Sequence, residues 1–138
     1  MNQSARPQSD ATLVETRLEL MPQSVNANAA LLRRGRYVHL TFLLAAGQRD
    51  YLLVVEQGRL VSVSNRQLAT ASGSFSLRAG IDTWLEHWQP IPRRNFHDLF
   101  SMLSAGLLKI DGDLLPFMQN LQYFKDVIAS VRQGNVND

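Results

Sequence analysis

The feature that most constrains the fold is a run of alternating apolar residues from Arg36 to Asn65, interrupted only by turn residues. In "RYVHLTFLL" (36–44), Val38, Leu40, Phe42 and Leu44 share one face and Tyr37, His39, Thr41 and Leu43 the other, which is the period of a strand. "RDYLLVVEQGRLVSVSN" reads as two more strands, 50–56 and 59–64, joined by a tight turn at Gln57-Gly58. "ATASGSFSL" (69–77) alternates again, with Ala69, Ala71, Gly73, Phe75 and Leu77 on one side and Thr70, Ser72, Ser74 and Ser76 on the other. Four successive strands with short connections imply an antiparallel meander, one face packed and one wet.

After Gly80 the period changes from two to that of a helix. In "IDTWLEHW", Ile81, Trp84, Leu85 and Trp88 recur at helical spacing, and Pro90 and Pro92 end the segment. "NFHDLFSML" repeats the pattern with Phe96, Leu99, Phe100 and Leu103, with Asn95 as its cap and Gly106 as its stop. "LLKI" (107–110) reads as a fifth strand, and one long helix is expected from Asp113 to about Arg132. Its stripe of Leu114, Phe117, Leu121, Phe124, Ile128 and Val131 is widened by Leu115, Met118, Tyr123 and Val127, beyond the arc of an ordinary surface helix. That surplus must meet a second helix, another subunit or an apolar ligand.

The first part of the chain is less regular. Residues 1–12 are polar and read as a disordered arm, with a single domain over 13–138. Leu13, Arg17 and Leu20 suit a short helix that Pro22 interrupts, and "SVNANAALLRR" a second one capped by Ser24 and ending near Gly35.

Few function classes survive the composition. Without cysteine there are no disulfides, thiolate chemistry or Cys-based zinc sites, which fits a reducing compartment. The N-terminus lacks the basic and apolar regions of a secretory signal, and no apolar run reaches membrane-spanning length. The net charge is only +2, and the basic clusters, Arg33/Arg34/Arg36 and Arg93/Arg94, are small. They do not form the stripe that nucleic-acid binding needs, so no nucleic-acid partner is expected.

The candidate chemistry is equally sparse. Asp111-Gly112-Asp113 lacks the ligand spacing of a calcium loop. It reads as a junction, Gly112 making the turn and Asp113 capping the helix. His39, His87 and His97 show no zinc spacing and read as surface or singly bonded residues. Phosphate loops and nucleophile elbows are absent, so neither an enzyme nor a cofactor is expected.

The order of elements together with "GLLKIDGDLLPFMQNLQ" resembles the C-terminal signature of the sterol carrier protein type two (SCP2) family. There a short alternating strand ends in Gly-Asp before an apolar helix. Leu107, Ile110, Gly112, Asp113, Met118 and Leu121 take those positions. The resemblance covers about two-thirds of the chain, from Tyr37 to Val131. It implies an α+β fold with a five-stranded, mainly antiparallel sheet covered on one face by helices, and an apolar cavity between the sheet and the C-terminal helices. It also implies a small carrier of fatty acyl, isoprenoid or sterol-like ligands, with no catalytic residues and at most transient membrane contact. Trp84, Trp88, Phe100, Leu103, Phe117, Met118, Leu121 and Phe124 are the expected lining. The C-terminus "QGNVND" is not a peroxisomal address, so a cytoplasmic member is expected. Relatives in quinone synthesis suggest an alternative, an accessory protein with a collapsed cavity that forms a homodimer or docks on a partner enzyme. The N-terminal helical region, shorter and broken at Pro22, departs from the family pattern.

Overall fold

The computed structural model describes residues 6–65 and 73–134, the first four of these by backbone alone. Its sheet contains β1 (His39–Ala46), β2 (Arg49–Glu56), β3 (Arg59–Asn65), β4 (Phe75–Ala79) and β5 (Lys109–Gly112), in the order β3-β2-β1-β4-β5. The first three strands form the expected meander. Gln57 and Gly58 both have positive φ, 53° and 83°, the geometry that matches a two-residue turn to the twist of its strands. The fourth strand corrects the expectation: β4 does not extend the meander but pairs parallel with β1, Leu44 opposite Leu77. Alternation reports which face a side chain takes and says nothing about the neighbouring strand. Positions 69–72 of the expected strand lie outside the described residues.

Phe42, Leu44 and Ala46 of β1, Tyr51, Leu53 and Val55 of β2, Leu60 of β3, and Phe75 and Leu77 of β4 point into one core beneath the helices. Leu43 and Ala45, on the opposite face of β1, are buried as well, so that face is not uniformly wet.

Helix α1 (Arg6–Asn26) runs without interruption through Pro22, and the arm expected over 1–12 is helical from Arg6 onward. Its buried stripe is Val14, Leu18, Met21 and Val25, at helical spacing, rather than Leu13 and Leu20. A proline inside a helix costs about 3 kcal/mol. Burying four such side chains contributes about 1.5–3 kcal/mol each, so packing outweighs the lost hydrogen bond. Asn26 ends α1 by pairing its side-chain amide with both backbone groups of Leu60, each at 2.9 Å, which covers part of the β3 edge. Helix α2 (Ala29–Arg34) is capped by Asn28, whose side-chain Oδ1 accepts from Leu31 N–H at 3.1 Å, and not by Ser24, which lies inside α1.

Of the three segments that follow, two depart from the expected bounds. Helix α3 (Ile81–His87) stands where the spacing put it. Helix α4 is only Leu99–Ser104, capped by Asp98 through Ser101 N–H at 2.9 Å. Asn95 sits instead in the left-handed region at φ 78°, a conformation asparagine tolerates in turns. The expected long final helix is two: α5 (Leu114–Gln119) and α6 (Leu121–Ala129), parted at Asn120. Asn120 takes φ −123° and donates both its backbone N–H and its Nδ2 to Pro116 O, at 3.2 and 2.9 Å. The same N–H also reaches Phe117 O at 3.3 Å, the three-residue bond of a tightened last turn, and α5 ends there.

Candidate ligand-binding site

The eight residues expected to line a cavity separate into a core group and a surface group. Trp84, Trp88, Phe117 and Phe124 have essentially no exposure, whereas Phe100, Leu103 and Met118 face solvent, Met118 at 49%. Leu121 is half-buried against the core.

Trp84 on α3 and Trp88, one turn on at the C-cap of that helix, stack at 5.7 Å. Trp84 Nε1–H donates to Ala45 O at 2.9 Å and Trp88 Nε1–H to Ile128 O at 2.8 Å. Both polar tips are satisfied, so α3 is strapped to β1 on one side and to α6 on the other. Phe117 and Phe124 join Phe42 and Phe75 in a cluster whose ring contacts span 5.1–5.9 Å between centroids. These rings lie between the sheet and the C-terminal helices, where the cavity is expected.

Helix α5 is apolar on both sides. Phe117 enters the ring cluster, while Leu114, Leu115 and Met118, which fall within about 100° of one another around the helix, are exposed. Only residues at helical spacing on the inner side can be core. The sequence therefore showed the excess apolar arc of this segment but not its division at Asn120. The turn of signals that could have located the break is Pro116 followed four residues later by Asn120.

The acidic tripeptide is a junction, as its residue types imply. Asp113 Oδ1 accepts from Leu115 N–H at 3.2 Å and caps α5, and Gly112 has φ +99°. A Cβ at Gly112 would lie 2.7 Å from Ser74 O, so the β4–β5 contact also requires glycine there. Asp111 lies on the sheet, 3.9 Å from Arg78 Nε.

His87 is the one buried polar residue named in the described core. Its Nδ1–H donates to Phe96 O at 2.7 Å, and Arg132 reaches across to His87 O and His97 O, both at 2.9 Å, pinning the loop between α3 and α4. Burial, with Arg132 nearby, lowers the His87 pKa to about 4 despite the bond to Phe96. His87 Nε2 has no hydrogen-bond partner among the described residues. His97 and His39 are exposed, and His97 turns to Ser101 and Asp98 rather than to His87.

A separate groove of about 810 Å³ opens between the C-terminal half of α1, α2 and α6. None of the eight expected residues lines it. Leu20, Ala27, Ala30 and Leu31 alternate there with Gln23, Ser24, Asn28, Arg34 and Asp126, so it is not an enclosed apolar tunnel.

No family model matches the chain, and no curated protein matches it in sequence. Solved structures do. A crystal structure of sterol carrier protein 2 superposes with a TM-score of 0.69 at 16% identity, covering 86% of this chain and 95% of that one. The fold is that of the SCP2 domain. The sterol carrier protein domain 2 of Helicoverpa armigera gives a TM-score of 0.55 at 10% identity, over 88% of each chain. A ubiquinone synthesis protein, UbiJ-SCP2, gives 0.55 at 15% identity, over 91% of this chain and 97% of its own. The shared SCP2 framework is the mixed five-stranded sheet with helices on its packed face. None of the described helices is long and apolar enough to cross a membrane.

Proposed function

We propose that this chain is a non-enzymatic lipid-binding carrier domain that holds an acyl, isoprenoid or sterol-like ligand between the sheet and the C-terminal helices. The observation that carries this reading is α5, six residues long, apolar on both sides and jointed to α6 at Asn120. A helix exposing Leu114, Leu115 and Met118 to water has a reason to turn. Swinging about Asn120 withdraws Phe117 from the ring cluster and brings Leu115 and Met118 toward the opened space. Phe117, Met118, Leu121 and Phe124 then line the ligand, and Met118 adapts to its shape. The fold similarity to sterol carrier proteins supports the same class of cargo.

The close packing of the four phenylalanines favours a second reading, in which the interior stays filled and α5 docks a partner or a second copy. The similarity to a ubiquinone synthesis protein suits such an accessory role. Native mass spectrometry separates the two. A monomer carrying a co-purifying lipid, or one that takes up an added fatty acid, is the expected result. A lipid-free dimer that ignores added acyl and isoprenoid probes would overturn the carrier reading in favour of the second.

A further inference from the structure

The connection from α2 to β1 carries "RRGRY" (33–37) on an unusually constrained piece of backbone. A Cβ at Gly35 would lie 2.1 Å from the Tyr123 ring, and one at Gly58 would lie 2.7 Å from Gly35 O. Tyr123 Oη–H donates to Gly58 O at 2.6 Å, and Gly58 N–H donates to Val38 O at 3.1 Å. Three elements, the end of α2, the β2–β3 turn and α6, thus interlock with no room for a side chain at either glycine.

The residues around this interlock point outward. Arg33, Arg36 and Arg59 are exposed, and Tyr37 is 85% exposed. The Arg36 guanidinium lies 4.7 Å over the Tyr37 ring, and Arg36 Nη1 donates to Arg33 O at 2.7 Å. Arg34 is neutralised by Asp126. Arg33, Arg36 and Arg59 make no ion pair among the described residues, although Glu56 stands opposite Arg59 in the hairpin register.

We propose that this junction seats the protein on an anionic lipid bilayer, with the three arginines against lipid phosphates and the Tyr37 ring at headgroup level. Tyrosine is enriched at that level because its ring is apolar and its hydroxyl wet. Arginine offers a fork that matches phosphate. The cations gather on two packed connections around a single aromatic instead of tracking a groove, which is why a bilayer fits them better than a nucleic acid. The rigid interlock fixes the backbone that carries the four side chains, so contact orders side chains and not the loop.

Co-sedimentation of the full chain with phosphatidylcholine vesicles, with and without phosphatidylglycerol, tests this. Attachment to the anionic vesicles only, released by salt, is expected. Each arginine near an anionic surface strengthens attachment about fivefold, so Arg33→Gln with Arg36→Gln weakens it about 25-fold. The double variant Arg93→Gln with Arg94→Gln, which loses the same charge elsewhere, leaves it within about twofold of wild type. Equal loss in both double variants, equal binding to neutral vesicles, or capture of a single-stranded oligonucleotide without vesicle binding would each overturn the proposal. Thermal melting of the variants verifies folding, since all four positions are exposed. The assay reads surface attachment without any lipid entering the interior, so its failure leaves the carrier reading standing, and the converse holds.

Discussion

At the residue scale, His87 converts burial into acid sensitivity. It is 1% exposed and has a pKa near 4, against about 6.5 for an unfolded histidine. As pH falls through 6.5 the unfolded chain takes up the proton first, while the folded chain keeps the ring neutral. Stability from this group is therefore complete above about pH 6.5 and is lost progressively down to about pH 4. Between pH 7 and pH 5 the loss amounts to about 2 kcal/mol. Urea unfolding at the two pH values should show it, and His87→Asn, which can keep the bond to Phe96 O, should lose about 2 kcal/mol less over that range. An equal fall in both proteins would assign the acid sensitivity to other groups. The burial was readable in part: His87 follows Trp84 by three residues and so shares its face of α3.

Elements were legible where one period ran between two punctuation marks. The β2–β3 turn at Gln57-Gly58, helix α3 between Gly80 and the prolines, and the Gly112-Asp113 junction all stand where residue types put them. In one misplaced element, α1, tertiary contacts overrode a local signal. Pro22 reads as a break because the cost of a proline is local, whereas the gain from Val14, Leu18, Met21 and Val25 is paid out across the whole interface. The division at Asn120 is the reverse case, since the apolar period continues across a joint where the asparagine leaves helical geometry and its side chain bonds Pro116 O. Asn120→Ala removes that bond and favours a continuous helix. Stability should change by no more than about 1 kcal/mol, while uptake of a fluorescent fatty acid, followed by stopped flow, should slow severalfold. Unchanged uptake would show that the joint is not a hinge.

At the scale of the whole molecule, structures only 10–16% identical to this chain share its framework, because a packed sheet face and a helix layer can be written in many apolar alphabets. The site was less legible than the frame. Whether rings such as Phe117 and Phe124 line a space or fill it depends on a few ångströms of helix position, and the same apolar pattern serves both. Phe117→Ala turns that ambiguity into a measurement. Truncating a buried phenylalanine costs about 3–5 kcal/mol, and Phe75→Ala, in the same cluster but fixed on a central strand, should cost a similar amount. The two differ in what they do to the ligand space. On the carrier reading, removing Phe117 opens the cavity without requiring α5 to swing, so an acyl probe at a hundred times its dissociation constant should restore about 2.7 kcal/mol. Its dissociation constant should also fall below that of wild type, which must displace the ring first. Phe75→Ala, with Phe117 still in place, should gain no more from the probe than wild type does. Thermal melts with and without probe read all three proteins, and equal, ligand-independent losses in both variants would make the phenylalanine cluster a core and nothing more.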